Sequence, residues 1–165
     1  MRARSGQALL EFSLVASLTL VLVLGIMDFA YLFAGRVAAF QASEVAARFA
    51  ATHPTAWSSA PAPGRDTIEG NLTLTSAPAR ISNDDAHLNI SYALAANGAL
   101  VTCGRYSASA GAFVPNSGYT QATCVAPGSV IMISATYDYV FITPMLRQLL
   151  TTVTIHATAS ALEAG

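Results

Sequence analysis

The sequence predicts an α+β protein: a long N-terminal helix, membrane-spanning in its first half, packed on a small antiparallel β-sheet head. Three observations lead there. An uncharged apolar run lies close to the N-terminus, an alanine-rich continuation holds no proline before Pro54, and period-two alternation marks three segments of the second half. Composition narrows the class further. Of 165 residues 53% are apolar and only 10% charged, with a net charge of −1, against about 25% charged in ordinary soluble domains. Disorder needs low hydrophobicity and high charge, and a nucleic-acid module needs a basic surface for phosphate; neither fits.

The helix comes first. Phe12 to Met27 carries no charge, and after Asp28 the run Phe29 to Gly35 is again uncharged. Together they supply the ~20 apolar residues a bilayer-spanning helix requires. Without proline to break it, the helical pattern runs on to Ala51, where Glu44 and Arg48 form a favourable i,i+4 pair. From Gln7 to Ala51 such a rod is ~67 Å long at ~1.5 Å per residue, so its second half must project beyond the membrane. Arg2 and Arg4 ahead of the run place the N-terminus in the cytoplasm and the head outside. A secretory signal peptide, cut near Ala38, Ala39 and Ala42, competes with this reading. The length of the apolar run and the position of Glu11 at its start count against it.

Two carboxylates lie where charge is costly. Glu11 at the head of the run has two readings. Either it rests among headgroups, or, were the chain cut after Gly6, the new α-amine of Gln7 would share a helix face with it four residues away and neutralise it. Asp28 either marks the point where the helix leaves the bilayer or pairs with an arginine of another subunit.

Thr52 to Arg80 is rich in Pro, Ser, Thr and Ala; Pro54 ends the helix, and the stretch reads as a connector with a strand at Leu72 to Thr75. From residue 81 to 165 the chain reads as the head. Leu88, Ile90, Tyr92 and Leu94 alternate with polar or small residues. Ile131, Ile133, Ala135, Tyr137, Tyr139 and Phe141 share one face, and so do Val153, Ile155, Ala157, Ala159 and Ala161, as in half-buried antiparallel strands. Thr143 to Leu149 is expected to form a helical turn capped by Thr143, with Pro144 first. Ala99 to Arg105 is a further strand carrying Cys103, and Tyr106 to Pro127 a long loop. Cys103 and Cys124 form an even pair in an extracytoplasmic segment, where a disulfide would contribute ~3 kcal/mol; two buried free thiols are the alternative.

Catalytic or metal chemistry is not expected. His53, His87 and His156 lack ligand spacing, Asp84-Asp85 is too short a run of acids for calcium and reads as a solvated turn, and neither a phosphate loop nor a nucleophile elbow is present. No cofactor, no catalytic residue and no nucleic-acid partner is therefore assigned.

Gly6-Gln7-Ala8-Leu9-Leu10-Glu11-Phe12, with the apolar run ending Gly25-Ile26-Met27-Asp28-Phe29, resembles the TadE-like family of minor pilins (pseudopilins) of the tight-adherence (Tad) pilus, a branch of the type IV pili. Val130 to Phe141, Ile142-Thr143-Pro144-Met145-Leu146 and the closing Ala157-Thr158-Ala159-Ser160-Ala161 are similar as well; roughly Thr52 to Ala126 matches nothing in the family. The resemblance implies a pilin-like fold with residues 1–6 as a prepilin leader and 7–51 as the helix; the 52–80 connector and the 81–165 head rest on the composition and alternation described above. It implies cleavage of Gly6–Gln7 by a prepilin peptidase. It also implies that Glu11 and Phe12 become the fifth and sixth mature residues, with Glu11 pairing with an adjacent subunit's amine to set register. The implied partners are that peptidase, other major and minor Tad pilins, the inner-membrane assembly platform and membrane lipid. The implied setting is the bacterial inner membrane and the pilus, in assembly, initiation or adhesion. A single-pass anchored envelope protein with a ligand- or surface-binding head is the alternative.

Overall fold

The computed structural model describes residues 3–96 and 98–164, so Met1 and Arg2 of the leader, with half of the orientation argument, lie outside the described residues. Helix α1 spans Ala3–Thr52, 50 residues without a break, or ~75 Å. It ends where proline requires, with the Thr52 hydroxyl donating to Phe49 O at 3.1 Å two residues before Pro54.

Along its length α1 changes character. From Gly6 to Met27 every residue is exposed except the half-covered Gly25. From Asp28 onward a stripe is buried at Asp28, Gly35, Ala38, Ala39, Ala42, Ser43, Ala46, Ala47 and Ala50. That spacing of three and four is one helix face. Its residues are nearly all small, so the sheet lies close to the helix axis. At Gly35 a Cβ would come within 2.7 Å of Tyr137 Cε1; glycine leaves the room that ring occupies against the helix.

The connector is not a strand-bearing linker. In place of the strand expected at Leu72 to Thr75 stands helix α2, Ile68–Thr75. Thr67 caps it by accepting from Gly70 N, and the i,i+4 pair Ile68 and Leu72 is fully buried in the core beside the alanines of α1. Gly70 has to be glycine, since a Cβ there would overlap the Gly64 carbonyl oxygen. Trp57 also serves the head. Its ring stacks on Tyr106 and Phe113 and meets Tyr92 edge-on, while its Nε1 donates to Tyr92 Oη at 2.8 Å.

The sheet has five antiparallel strands, β1 Leu88–Ala96, β2 Ala99–Ser107, β3 Ala112–Pro115, β4 Val130–Tyr139 and β5 Val153–Leu162, in the order β3-β2-β1-β4-β5. The alternating faces are as the sequence predicts: Ile131, Ile133, Ala135 and Tyr139 of β4 are buried, as are Ile155 and Ala157 of β5, while His156 is exposed. The stretch Tyr106 to Pro127 is more ordered than a loop. It holds β3 and the single helical turn α3, Gln121–Cys124, closed by a reciprocal Thr120–Thr123 capping box. β4 stops two residues short of Phe141. Helix α4, Pro144–Leu149, starts with proline as expected, but Thr143 at its N-cap makes no side-chain capping bond; the Thr143 N–H is directed elsewhere.

Candidate functional site

The bare half of α1 is chemically uniform. Its most apolar 18-residue window has no buried residue, and the helix is long and apolar enough to cross a membrane. Between Phe12 and Met27 the three hydroxyls bond inside the helix: Ser13 to Leu9 O at 2.7 Å, Ser17 to Leu14 O at 2.9 Å and Thr19 to Val15 O at 2.8 Å. No side-chain hydroxyl of that stretch then depends on outside partners, the condition that a hydrocarbon environment imposes. At its beginning, Gln7 Nε2 donates to Glu11 Oε1 at 3.4 Å, so these two residues share the expected face. Phe12 is 71% exposed. Gly6 is helical, and a Cβ added there meets no atom within 4 Å.

Asp28 is the junction. It is 1% exposed although it interrupts an apolar run. Its Oδ1 accepts from the Tyr139 hydroxyl at 2.9 Å and from Ile142 N at 2.8 Å, and its Oδ2 accepts from Thr143 N at 2.9 Å. The Tyr139 hydroxyl also reaches the main-chain oxygen of Asp28 at 3.1 Å. Bare helix becomes covered helix at this residue. The geometry adds what the sequence could not supply: the carboxylate is saturated by the chain's own head. Charge-assisted bonds of this kind contribute ~1.5–3 kcal/mol each. They also explain the early end of β4, since the backbone at Ile142 and Thr143 turns from the sheet toward the carboxylate.

Cys103 and Cys124 are joined in a disulfide with Cα atoms 5.6 Å apart, both fully buried. The register of β1 and β2 slips between Tyr92 and Ala93, leaving Cys103 as the extra residue of β2. Such a bulge re-aims a side chain, and here it turns the sulfur in toward α3.

Other polar groups hold the fold. Asp84 accepts from Ala86 N and His87 N and pairs with His87 Nδ1 at 2.7 Å. Burial pushes its carboxyl up, but the His87 ring and N–H prevail and hold it below its ordinary value. Asp85 accepts from the Ser107 and Ser109 hydroxyls and Ala108 N, fastening the β2–β3 turn. The Asp84-Asp85 pair is thus structural rather than merely solvated. Glu69, absent from the sequence-based candidates, is fully buried on α2; Oε2 accepts from Ser58 N at 2.9 Å and Oε1 has no partner. Burial raises its carboxyl to about 7, only partly countered by N–H donors. Among the described residues no group of three or more His, Cys, Asp or Glu could hold a metal ion. A groove of about 540 Å³ beside Pro61, Pro63, Leu74 and Asn83 has Asp84 as its sole acidic or basic lining residue. In comparisons with known proteins, the chain matches no family model, no curated protein and no solved structure.

Proposed function

We propose that the chain is a minor pilin (pseudopilin) of a Tad-type pilus, a non-catalytic subunit anchored through residues 6–27 with its head outside the bacterial inner membrane. One observation carries this reading. A single unbroken helix is bare over its first half, covered over its second, and has Gly6-Gln7 and Glu11-Phe12 at its bare end. About 22 bare residues make ~33 Å of helix, close to the ~30 Å of a bilayer's hydrocarbon. A helix whose apolar side chains all face outward is suited to packing among lipids and other such helices, and the head, held to the same rod, is suited to start, cap or decorate a filament.

Processing follows from the resemblance to TadE-like proteins. A prepilin peptidase would cut Gly6–Gln7, and the exposed Glu11 carboxylate would then meet a free α-amine in its own or a neighbouring subunit. Glycine at the cut weakens the first helical turn by ~1 kcal/mol relative to alanine, easing the local unwinding a peptidase needs. A signal-peptidase cut near Ala38 to Ala42 fits poorly, since those alanines are core residues under the sheet.

The deciding measurement is the intact mass of the protein from native membranes. Gln7 as first residue supports a pilin, whereas an uncut Met1 supports the anchored envelope protein. Gly6→Ala, which the fold accommodates without contact, is expected to remain unprocessed and to abolish piliation. Glu11→Ala is expected to be processed yet fail in assembly. Normal filaments from either variant refute the role given to that residue.

A further inference from the structure

Because Ile142 N and Thr143 N lie 2.8 and 2.9 Å from the Asp28 carboxylate oxygens, the β4–α4–β5 corner is fixed beside helix residue 28. That is one residue beyond the end of the bare segment at Met27. The corner exposes three large apolar residues, Val140 at 45%, Ile142 at 68% and Leu150 at 46%, beside the polar Gln148. Arg147 stands exposed in the last turn of α4. On α1 the next residues outward, Phe29, Tyr31 and Phe33, are each at least half exposed. An amphipathic ring such as that of Tyr31 is what a membrane–water interface collects.

We propose that residues 140–150 form a foot resting in the outer membrane interface, with Val140, Ile142 and Leu150 entering the headgroup–acyl boundary and Arg147 meeting lipid phosphate. The inference rests on the membrane-anchored reading of α1, and its geometry follows from distance. The headgroup region is ~5–7 Å thick on each side of the hydrocarbon. A loop hydrogen-bonded to the helix one residue past the apolar run therefore cannot stand clear of it. Apolar groups seated ~5–10 Å into that boundary, with a basic group above them, are the pattern of interfacial binding. The head then stands on the bilayer at two points, helix and foot, rather than swinging on the helix alone.

The test uses the full chain, its disulfide intact, in phosphatidylcholine–phosphatidylglycerol vesicles with one introduced thiol carrying an environment-sensitive fluorophore. Ile142→Cys reports the foot, Leu18→Cys the middle of the bare helix, and Leu100→Cys the far end of the sheet. All three positions are more than half exposed, so the label displaces no packing. Lipids brominated high on the acyl chain should quench the residue-142 label about two-fold and iodide should quench it several-fold less than the label at residue 100. Residue 100 should be indifferent to bromine. Quenching at residue 18 with residue 142 as open to iodide as residue 100 overturns the foot and leaves the anchor standing. No quenching at residue 18 by lipids brominated deep in the acyl chain overturns both. A residue-142 label shielded from iodide but untouched by bromine means a protein surface covers the corner, and that too overturns the proposal.

Discussion

Removing the Asp28 carboxylate tests how the head is joined to the rod. In Asp28→Ala the Tyr139 hydroxyl keeps the main-chain oxygen of residue 28, 3.1 Å away. Thr143 N, on a residue only 7% exposed, is left without an acceptor, and Ile142 N regains water only in part. A buried donor left unpaired costs ~1–3 kcal/mol, and bonds to a charged acceptor are the stronger kind, so one full and one partial loss come to about 3 kcal/mol. Asp28→Asn is milder but not silent. Oδ1 faces a hydroxyl and an N–H while Oδ2 faces an N–H, so either amide orientation opposes one NH2 to a main-chain donor, costing ~1–2 kcal/mol. The assay is thermal unfolding of the full chain in micelles, followed by the emission of the single Trp57. The alanine variant should melt roughly 6–12 °C lower. Amide hydrogen exchange should accelerate at Ile142 and Thr143 and remain slow at Ile131 and Ile133. A midpoint within about a degree of the parent, with both amides still protected, refutes the reasoning.

Three further outcomes are expected. Glu69 has a folded-state value near 7 against about 4.5 when unfolded, so the folded chain binds its proton more tightly. Its penalty is absent below pH 4.5, grows through pH 7 and is complete above, at most about 3 kcal/mol. Glu69→Gln should therefore raise the melting midpoint at pH 8 and leave it unchanged at pH 4. Reducing Cys103–Cys124, which spans 21 residues, should cost ~3 kcal/mol, read as a lower denaturant midpoint with dithiothreitol and reproduced by a Cys103→Ser, Cys124→Ser double variant. Inserting one alanine after Leu14 should leave membrane insertion intact but abolish filaments, and deleting one residue between Leu20 and Leu24 in the same chain should restore them.

What the sequence disclosed and what it concealed divide along sequence separation. The rod is legible because apolarity and the lack of proline are local properties, and the sheet faces because alternation in Ile131 to Tyr139 and Val153 to Ala161 is local too. Helix α2 escapes notice: eight residues carry barely two turns of periodicity, prolines surround them, and only Thr67 with Ile68 and Leu72 hints at a cap and a face. β3 is four residues long and earns its strand by pairing with Gly104 to Ser107. Asp28 is visible as an anomaly, but its partners lie 111 to 115 residues away, and two are main-chain N–H groups that any residue could offer. Glu69 has the same difficulty in reverse, since its burial is created by tertiary packing around α2. Gly6, Gln7, Glu11 and Phe12 stay as exposed on the helix as the sequence presents them, so the fold adds their common rod to the motif without adding a site.

That common rod fixes direction as well as height. Asp28, Gly35 and the alanine stripe hold one face of α1 against the sheet, so the azimuth of the head is set relative to every residue of the bare half. At ~100° per residue, Phe12 lies ~160° round the helix from Asp28, almost opposite the head, and Glu11 lies ~100° round, to one side. If such subunits gather with heads outward, Phe12 points to the bundle axis, where an aromatic ring finds apolar neighbours, and Glu11 points along the circumference toward the adjoining helix. A carboxylate aimed at the axis would meet its own copies; aimed sideways it can meet a neighbour's amine. The azimuth works only while the helix from residue 11 to residue 28 keeps its residue count and the Asp28 bonds keep the head from turning. On the proposed pilin reading, the motif at one end of the rod and the clamp at its middle would act as one device, and a single-residue insertion would separate them by rotating Glu11 about 100° without touching either.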